Sequence, residues 1–373
     1  MKIYAAIDDP RLPLRDVPAW AARAERAGFH GVLVPEAVHD GFLAALLALE
    51  HTRTLTVATS VALAFPRSPT TVAYAAWDLQ ALSGGRFVLG LGSQVKANVE
   101  GRFGVAWTPP VARMRDYVGA LRAIWTSWQE RTPLAYASPS YTLRRMQPFF
   151  DPGPIAHPAI PIFLGGVSPG MLRLAGEVAD GLMTHPTNSD PRFLRERCLP
   201  ALAAGAARAG RAAGAPAGRV AGAPTGRAGG AAAGRTADAA AGRGAGGFDV
   251  IASAFVATGP DPATVERERA RLREYLGFLY STPQYWPTLE LHGWQAVGEH
   301  LRALTRAGRW QEMPAAITDE ILDALVPAGT YDEIAPVLAA RYGGLAAAIT
   351  LRLPDDPAAD PALGDLIRRL ADG

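Results

Sequence analysis

Eight short apolar runs recur along the chain, separated by stretches with helical spacing, and this recurrence narrows the possible folds more than any other feature. The runs cover 3–7, 31–35, 55–63, 87–91, 160–164, 182–184, 248–257 and 347–353. A strand buried on both faces reads as a continuous apolar run, not as an alternation. After the first run, Val17, Trp20, Ala21 and Ala24 fall at the 3, 4 and 7 spacings of a helix face, with Asp16 placed to cap and Gly28 to stop it. Asp40 precedes a second, apolar helix over 42–50, and Ser168-Pro169 precedes another over 171–179. Eight strands alternating with helices predict an α/β chain closed as a (β/α)8 TIM barrel with insertions. A doubly wound open sheet is the alternative. A barrel needs about 250 residues, so the surplus is expected in excursions, including a hairpin within 141–150.

One stretch stands apart in composition. From Ala201 to Gly247, 40 of 47 residues are Ala, Gly or Arg, and none is aromatic. Such a segment has little to offset its ordering entropy. We expect one domain over 1–373 carrying a disordered insertion at about 205–247. The chain is 49% hydrophobic and 19% charged with a net charge of +2, which is globular and argues against a nucleic-acid partner. Cys198 is the single cysteine, excluding an internal disulfide and any Cys-based zinc site. Asp8 and Asp9 interrupt any early signal-peptide core, and no apolar run nears the roughly 20 residues of a membrane span. The expectation is a cytoplasmic homodimer acting on a small molecule, away from membranes.

In a barrel the C-terminal strand ends share one mouth. They would bring together Asp8 and Asp9, Glu36 and His39, Ser60 and Val61, Ser93 and Gln94, Gly165 and Gly166, and Thr184 and His185. The histidines are scattered and no HExxH occurs, so no metal is expected. Asp8 and Glu36 leave a two-carboxylate hydrolase open, whereas no GxSxG elbow or Walker loop is present. Gly90-Leu91-Gly92 lets backbone or ligand approach, although a lone GxG is weak. Gly165-Gly166-Val167-Ser168-Pro169 aims a capped helix start at the mouth, a natural seat for phosphate. His39 and His185 are each placed to serve as general acid, as donor to a ligand, or as plain loop residues.

Several longer pieces carry a resemblance. VPEAVHDGF at 34–42, TSVALAFPRSP at 59–69 and DLQALSGGRFVLGLGSQVKANVEGRF at 78–103 are the first. RMRDYVGALRAIW at 113–125, LAGEVADGLMTHP at 174–186 and STPQYWPTLELHGW at 281–294 continue it. In order and spacing the chain resembles the bacterial luciferase-like family, and within it the branch of coenzyme F420 (deazaflavin)-dependent oxidoreductases. The resemblance implies a barrel with the cofactor in its mouth and a non-proline cis peptide at Ser60-Val61 propping the ring. It implies ring or ribityl contacts from Ser93, Gln94 and Asn98, a phosphate loop at Gly165, Gly166 and Val167, and a further phosphate-side contact from Thr184. His39 matches the histidine used by some members, with Glu36 or Ala37 taking its place if the match slips by two. The chemistry implied is hydride transfer, with FMN and oxygen chemistry, or a non-catalytic flavin-binding barrel, as alternatives. Tyr280, Tyr285 and Trp286 form an aromatic group placed to cover a substrate or to pack internally.

Overall fold

The computed structural model describes residues 1–9, 11–211 and 248–372. Eight parallel strands close into a barrel: β1 (Lys2–Ala6), β2 (Gly31–Val34), β3 (Thr56–Thr59), β4 (Phe87–Gly92), β5 (Ile162–Gly165), β6 (Gly181–Met183), β7 (Asp249–Ala252) and β8 (Ala348–Leu351). Each strand pairs with its sequence neighbour. The ring closes where Lys2 to Ala5 lie beside Ala348 to Leu351. All eight expected strands are present, and the open-sheet alternative falls.

Tyr4, Leu33, Ala58, Phe163, Met183, Ile251 and Ala348 fill the barrel interior. A larger apolar layer lies between the strands and the outer helices, which include α1 (Val17–Arg26), α2 (Gly41–Glu50), α3 (Pro69–Ser83), α4 (Pro110–Glu130), α5 (Pro169–Val178) and α6 (Leu199–Arg208). The strands therefore have apolar neighbours on both faces, which is why their sequence runs lack alternation. Asp40 caps α2 by accepting the Phe42 N–H at 2.8 Å, and Ser168 caps α5 by accepting from Met171 at 3.3 Å. Asp16 flanks α1 but makes no side-chain cap.

Three expectations shift. The run at 248–257 divides: β7 stays in the barrel, while Ala257–Gly259 pairs in parallel with Ala328–Thr330 in a separate two-stranded sheet. That sheet, α7 (Pro262–Tyr280) and the segments that follow enclose a second small core around Leu272, Leu276, Leu301 and Leu322. The hairpin pairs Tyr136–Ala137 with Thr142–Leu143, earlier than expected, and 148–150 forms a 3-10 turn. The low-complexity stretch begins as helix: α6 runs to Arg208, and a Cβ on Gly205 would lie 1.9 Å from the Arg173 carbonyl oxygen on α5. Glycine there permits close helix packing. The rest of the expected insertion, 212–247, lies outside the described residues. None of the described helices is long and apolar enough to cross a membrane.

Candidate active site

The mouth is shaped first by a break in β3. Thr59, fully buried, donates its hydroxyl to the Gly90 carbonyl (2.8 Å) and accepts the Gly90 N–H (2.9 Å). One side chain thus replaces a rung of the β3–β4 ladder. The next peptide, Ser60-Val61, is cis, and pairing with β4 resumes at Ala62–Leu63. A Cβ on Gly90 would sit 1.9 Å from the Thr59 carbonyl oxygen, so only glycine allows this approach. A Cβ on Gly92 would meet Val61 Cγ2 at 2.4 Å, and one on Gly165 would meet Val61 Cγ1 at 3.0 Å. The GxG of β4 and the first glycine after β5 therefore make room for Thr59 and Val61. Sequence reading noticed the glycines but not their occupants.

Glu36 and His39 share the loop after β2 but not the same surroundings. Arg67 holds the Glu36 carboxylate through Nη1 at 2.7 Å and Asp40 through Nη2 at 2.7 Å. Glu36 also accepts the Leu63 N–H at 3.0 Å, just beyond the cis peptide. Arg102 donates to the Ala37 carbonyl at 2.8 Å. This loop is pinned at 36, 37 and 40. Between the last two, His39 is half-buried and makes no hydrogen bond among the described residues. Asp8 is bound by Arg352 at 2.6 Å. Each carboxylate of the hydrolase alternative is thus held in an ion pair, with an arginine that Asp40 shares on one side and Glu268 and Asp355 share on the other, so neither stands free as the acid or base that such chemistry needs.

After β4, Gln94 adopts a left-handed φ of 60° and its side-chain oxygen accepts the Val95 N–H at 2.9 Å. Ser93 donates to the Gln94 carbonyl at 3.3 Å. Asn98 lies in the short helix Lys96–Gly101 and its side chain has no partner among the described residues. After β5, a Cβ on Gly166 would collide with Met171 Cγ at 2.4 Å. The backbone N–H groups of Val167, Ser168 and Gly170 find no acceptor among the described residues. Three free donors at the start of a capped ten-residue helix suit the oxygens of a phosphate.

Thr184 follows β6 and is buried. Its hydroxyl lies 2.6 Å from Ser189 Oγ and accepts the Ser253 N–H at 3.3 Å, so it ties the ends of β6 and β7 together. His185 comes next and stacks on Tyr285, with centroids 4.1 Å apart and planes within 6°. Burial pushes its pKa down to about 4. Of the aromatic group, only Tyr285 meets the mouth in this way. Tyr280 is buried and donates to the Thr187 carbonyl (3.2 Å), while Trp286 donates to the Tyr280 carbonyl (2.7 Å) and packs over Gly298. Arg67, Arg102 and Thr59 were missed as site-forming residues. Arg67 lies inside FPRSP and Arg102 is the last residue but one of another matched piece, but their partners are about 30 and 65 residues away.

Known proteins resemble this chain in sequence and in fold. The luciferase-like monooxygenase family model matches residues 2–237 and 220–348. An uncharacterised protein of Mycobacterium tuberculosis is 39% identical over 325 residues, 87% of this chain and 86% of that protein. The 5,10-methylenetetrahydromethanopterin reductase of Archaeoglobus fulgidus is 28% identical over 298 residues, covering 78% and 74% of the two chains. In fold, the coenzyme F420-dependent tetrahydromethanopterin reductase of Methanopyrus kandleri superposes with a TM-score of 0.74 at 17% identity, over 100% of this chain and 98% of that one. A closed parallel barrel with its third strand broken at Ser60-Val61, matched by that family model along nearly its whole length, belongs to the luciferase-like monooxygenase family.

Proposed function

We propose that the chain is an oxidoreductase that moves hydride between coenzyme F420 and a small organic substrate held in the barrel mouth. The observation that carries the reading is the turn at 165–170, where N–H groups have no acceptor among the described residues at a helix start, beside the cis Ser60-Val61 peptide whose Val61 packs against Gly165. The likeness to a reductase from Archaeoglobus fulgidus supports hydride chemistry over oxygen chemistry. The cofactor, once bound, supplies the hydride-carrying ring. Val167, Ser168 and Gly170 hold its phosphate through backbone N–H groups, with Gly165 and Gly166 keeping the turn close. Val61, wedged between Gly92 and Gly165, keeps the Ser60-Val61 wall from yielding. Ser93, Gln94 and Asn98 supply polar contacts on the next wall. His39, without a hydrogen-bond partner among the described residues, exchanges the proton that accompanies hydride transfer, while Glu36 holds its loop through Arg67. Thr184 acts indirectly, by fixing the β6 and β7 ends.

FMN is the rival cofactor, favoured by the monooxygenase description of the family model. Parallel fluorescence titrations of the purified protein with F420 and FMN separate the two readings. The proposal expects tighter binding of F420. Preference for FMN would move the chemistry to oxygen, and binding of neither would remove the function.

A further inference from the structure

His185 is held in a way that neither its sequence position nor the cofactor reading requires. It caps the turn Pro186–Asn188, its Nδ1 accepting the Thr187 backbone N–H at 3.4 Å with Thr187 Oγ1 only 2.8 Å from the same nitrogen. A ring nitrogen that accepts from a backbone N–H carries no proton, so the proton of the neutral imidazole sits on Nε2. The neighbouring amide is compatible with this assignment. Asn188 Oδ1 lies 3.0 Å from Thr187 Oγ1, while Nδ2 is buried with no acceptor among the described residues. Exchanging the O and N of that amide, which have the same shape, lets Nδ2 donate to Thr187 Oγ1 and turns the hydroxyl proton toward His185. Donation then runs one way, from Asn188 through Thr187 to Nδ1.

The far nitrogen is left over. Nε2–H has no acceptor among the described residues, although its ring is mostly buried and sandwiched against Tyr285. It stands at the C-terminal end of β6, on the rim shared with Ser60-Val61 and the 165–168 turn. We propose that His185 is a ligand-recognition residue whose fixed Nε2–H donates to an oxygen acceptor, the carbonyl oxygen of a small organic molecule, with Tyr285 buttressing the ring. Burial keeps the imidazole neutral, so it serves as a donor without becoming a cation. Only the word substrate for that molecule rests on the hydride-transfer reading; the donor itself does not.

Two substitutions separate the two ends of the ring. Asn at 185 keeps an acceptor where Nδ1 stands and removes the outer donor. Gln keeps an N–H near the position of Nε2. The experiment uses the full chain labelled with 15N at histidine, titrated with cyclohexanone and with methylenecyclohexane, its oxygen-free counterpart, with and without added F420. Wild-type protein should show His185 as the Nε2–H tautomer, and the ketone alone should shift that resonance saturably. His185→Asn should weaken ketone binding about tenfold, and His185→Gln by less than about threefold. An Nδ1–H tautomer overturns the proposal, as does a ketone that leaves Nε2–H unmoved or binds His185→Asn like wild type. Should His185→Asn fail to fold, the wild-type tautomer and ketone shift decide alone. Failure of F420 to bind would sink the cofactor reading and leave these results standing.

Discussion

At the scale of single residues, the mouth depends on polar atoms with no spare partners. Thr59 Oγ1 both donates to and accepts from Gly90. Replacing it with Val keeps the shape and strands a buried N–H and carbonyl, costing about 1–3 kcal/mol. Urea unfolding of Thr59→Val should show that loss, and unchanged stability would mean that the hydroxyl is dispensable. His185 gives a pH signature. Its folded pKa is pushed down to about 4 by burial, against about 6.5 unfolded. As pH falls below about 6.5 the unfolded imidazole binds a proton that the folded one refuses, so stability drops until about pH 4 and no further. The loss is on the order of 3 kcal/mol at most. Unfolding measured across pH 4–8 should show a shallower acid slope in His185→Gln than in wild type; parallel slopes would contradict the buried, neutral ring.

Between elements, Arg67 does the joining. It reaches from the segment after β3 to Glu36 and Asp40 in the loop after β2, with its guanidinium 5.6 Å from the Phe42 ring centre. The Glu36 side chain is only 7% exposed, so removing Arg67 leaves a nearly buried carboxylate with one N–H partner. Breaking such a pair from one side costs about 3–5 kcal/mol. Arg67→Met should lose an amount in that range and bind cofactor more weakly as His39 loosens. Lys should recover only part, because one ammonium cannot grip two carboxylates as the fork does. Equal stability of all three forms would show the clamp to be idle. The strands themselves were legible in sequence because burial on both faces leaves unbroken apolar runs. Their ends were not. Residues 253–256 continue the same apolar run as β7, yet the chain leaves the barrel there to pair with Ala328–Thr330. No local signal marks that departure.

For the whole molecule, fold and candidate site were legible to different depths. Gly165 to Pro169 could be read as a capped helix start because capping is a local matter. The Glu36–Arg67 pair and the His185–Tyr285 stack could not, since each joins residues that only the closed barrel brings together. The insertion also has a whole-molecule consequence. Arg211 stacks over Phe248, 4.9 Å from its ring centre, so the residues flanking 212–247 are neighbours. A chain in which a few glycines join 211 to 248 should fold and bind cofactor like the parent, because closing a short loop there costs little. Insoluble protein or lost cofactor binding from that chain would give the segment a structural role. The central claim is that the 165–170 turn seats the phosphate of a deazaflavin. A charge at Gly166 would test it poorly, since any side chain there meets Met171. Ser168 is exposed and caps α5, and both Asp and Asn can replace it as caps. F420 titration of Ser168→Asp against Ser168→Asn therefore isolates one negative charge. The account predicts binding about tenfold weaker for Asp than for Asn; equal affinities would place the phosphate elsewhere.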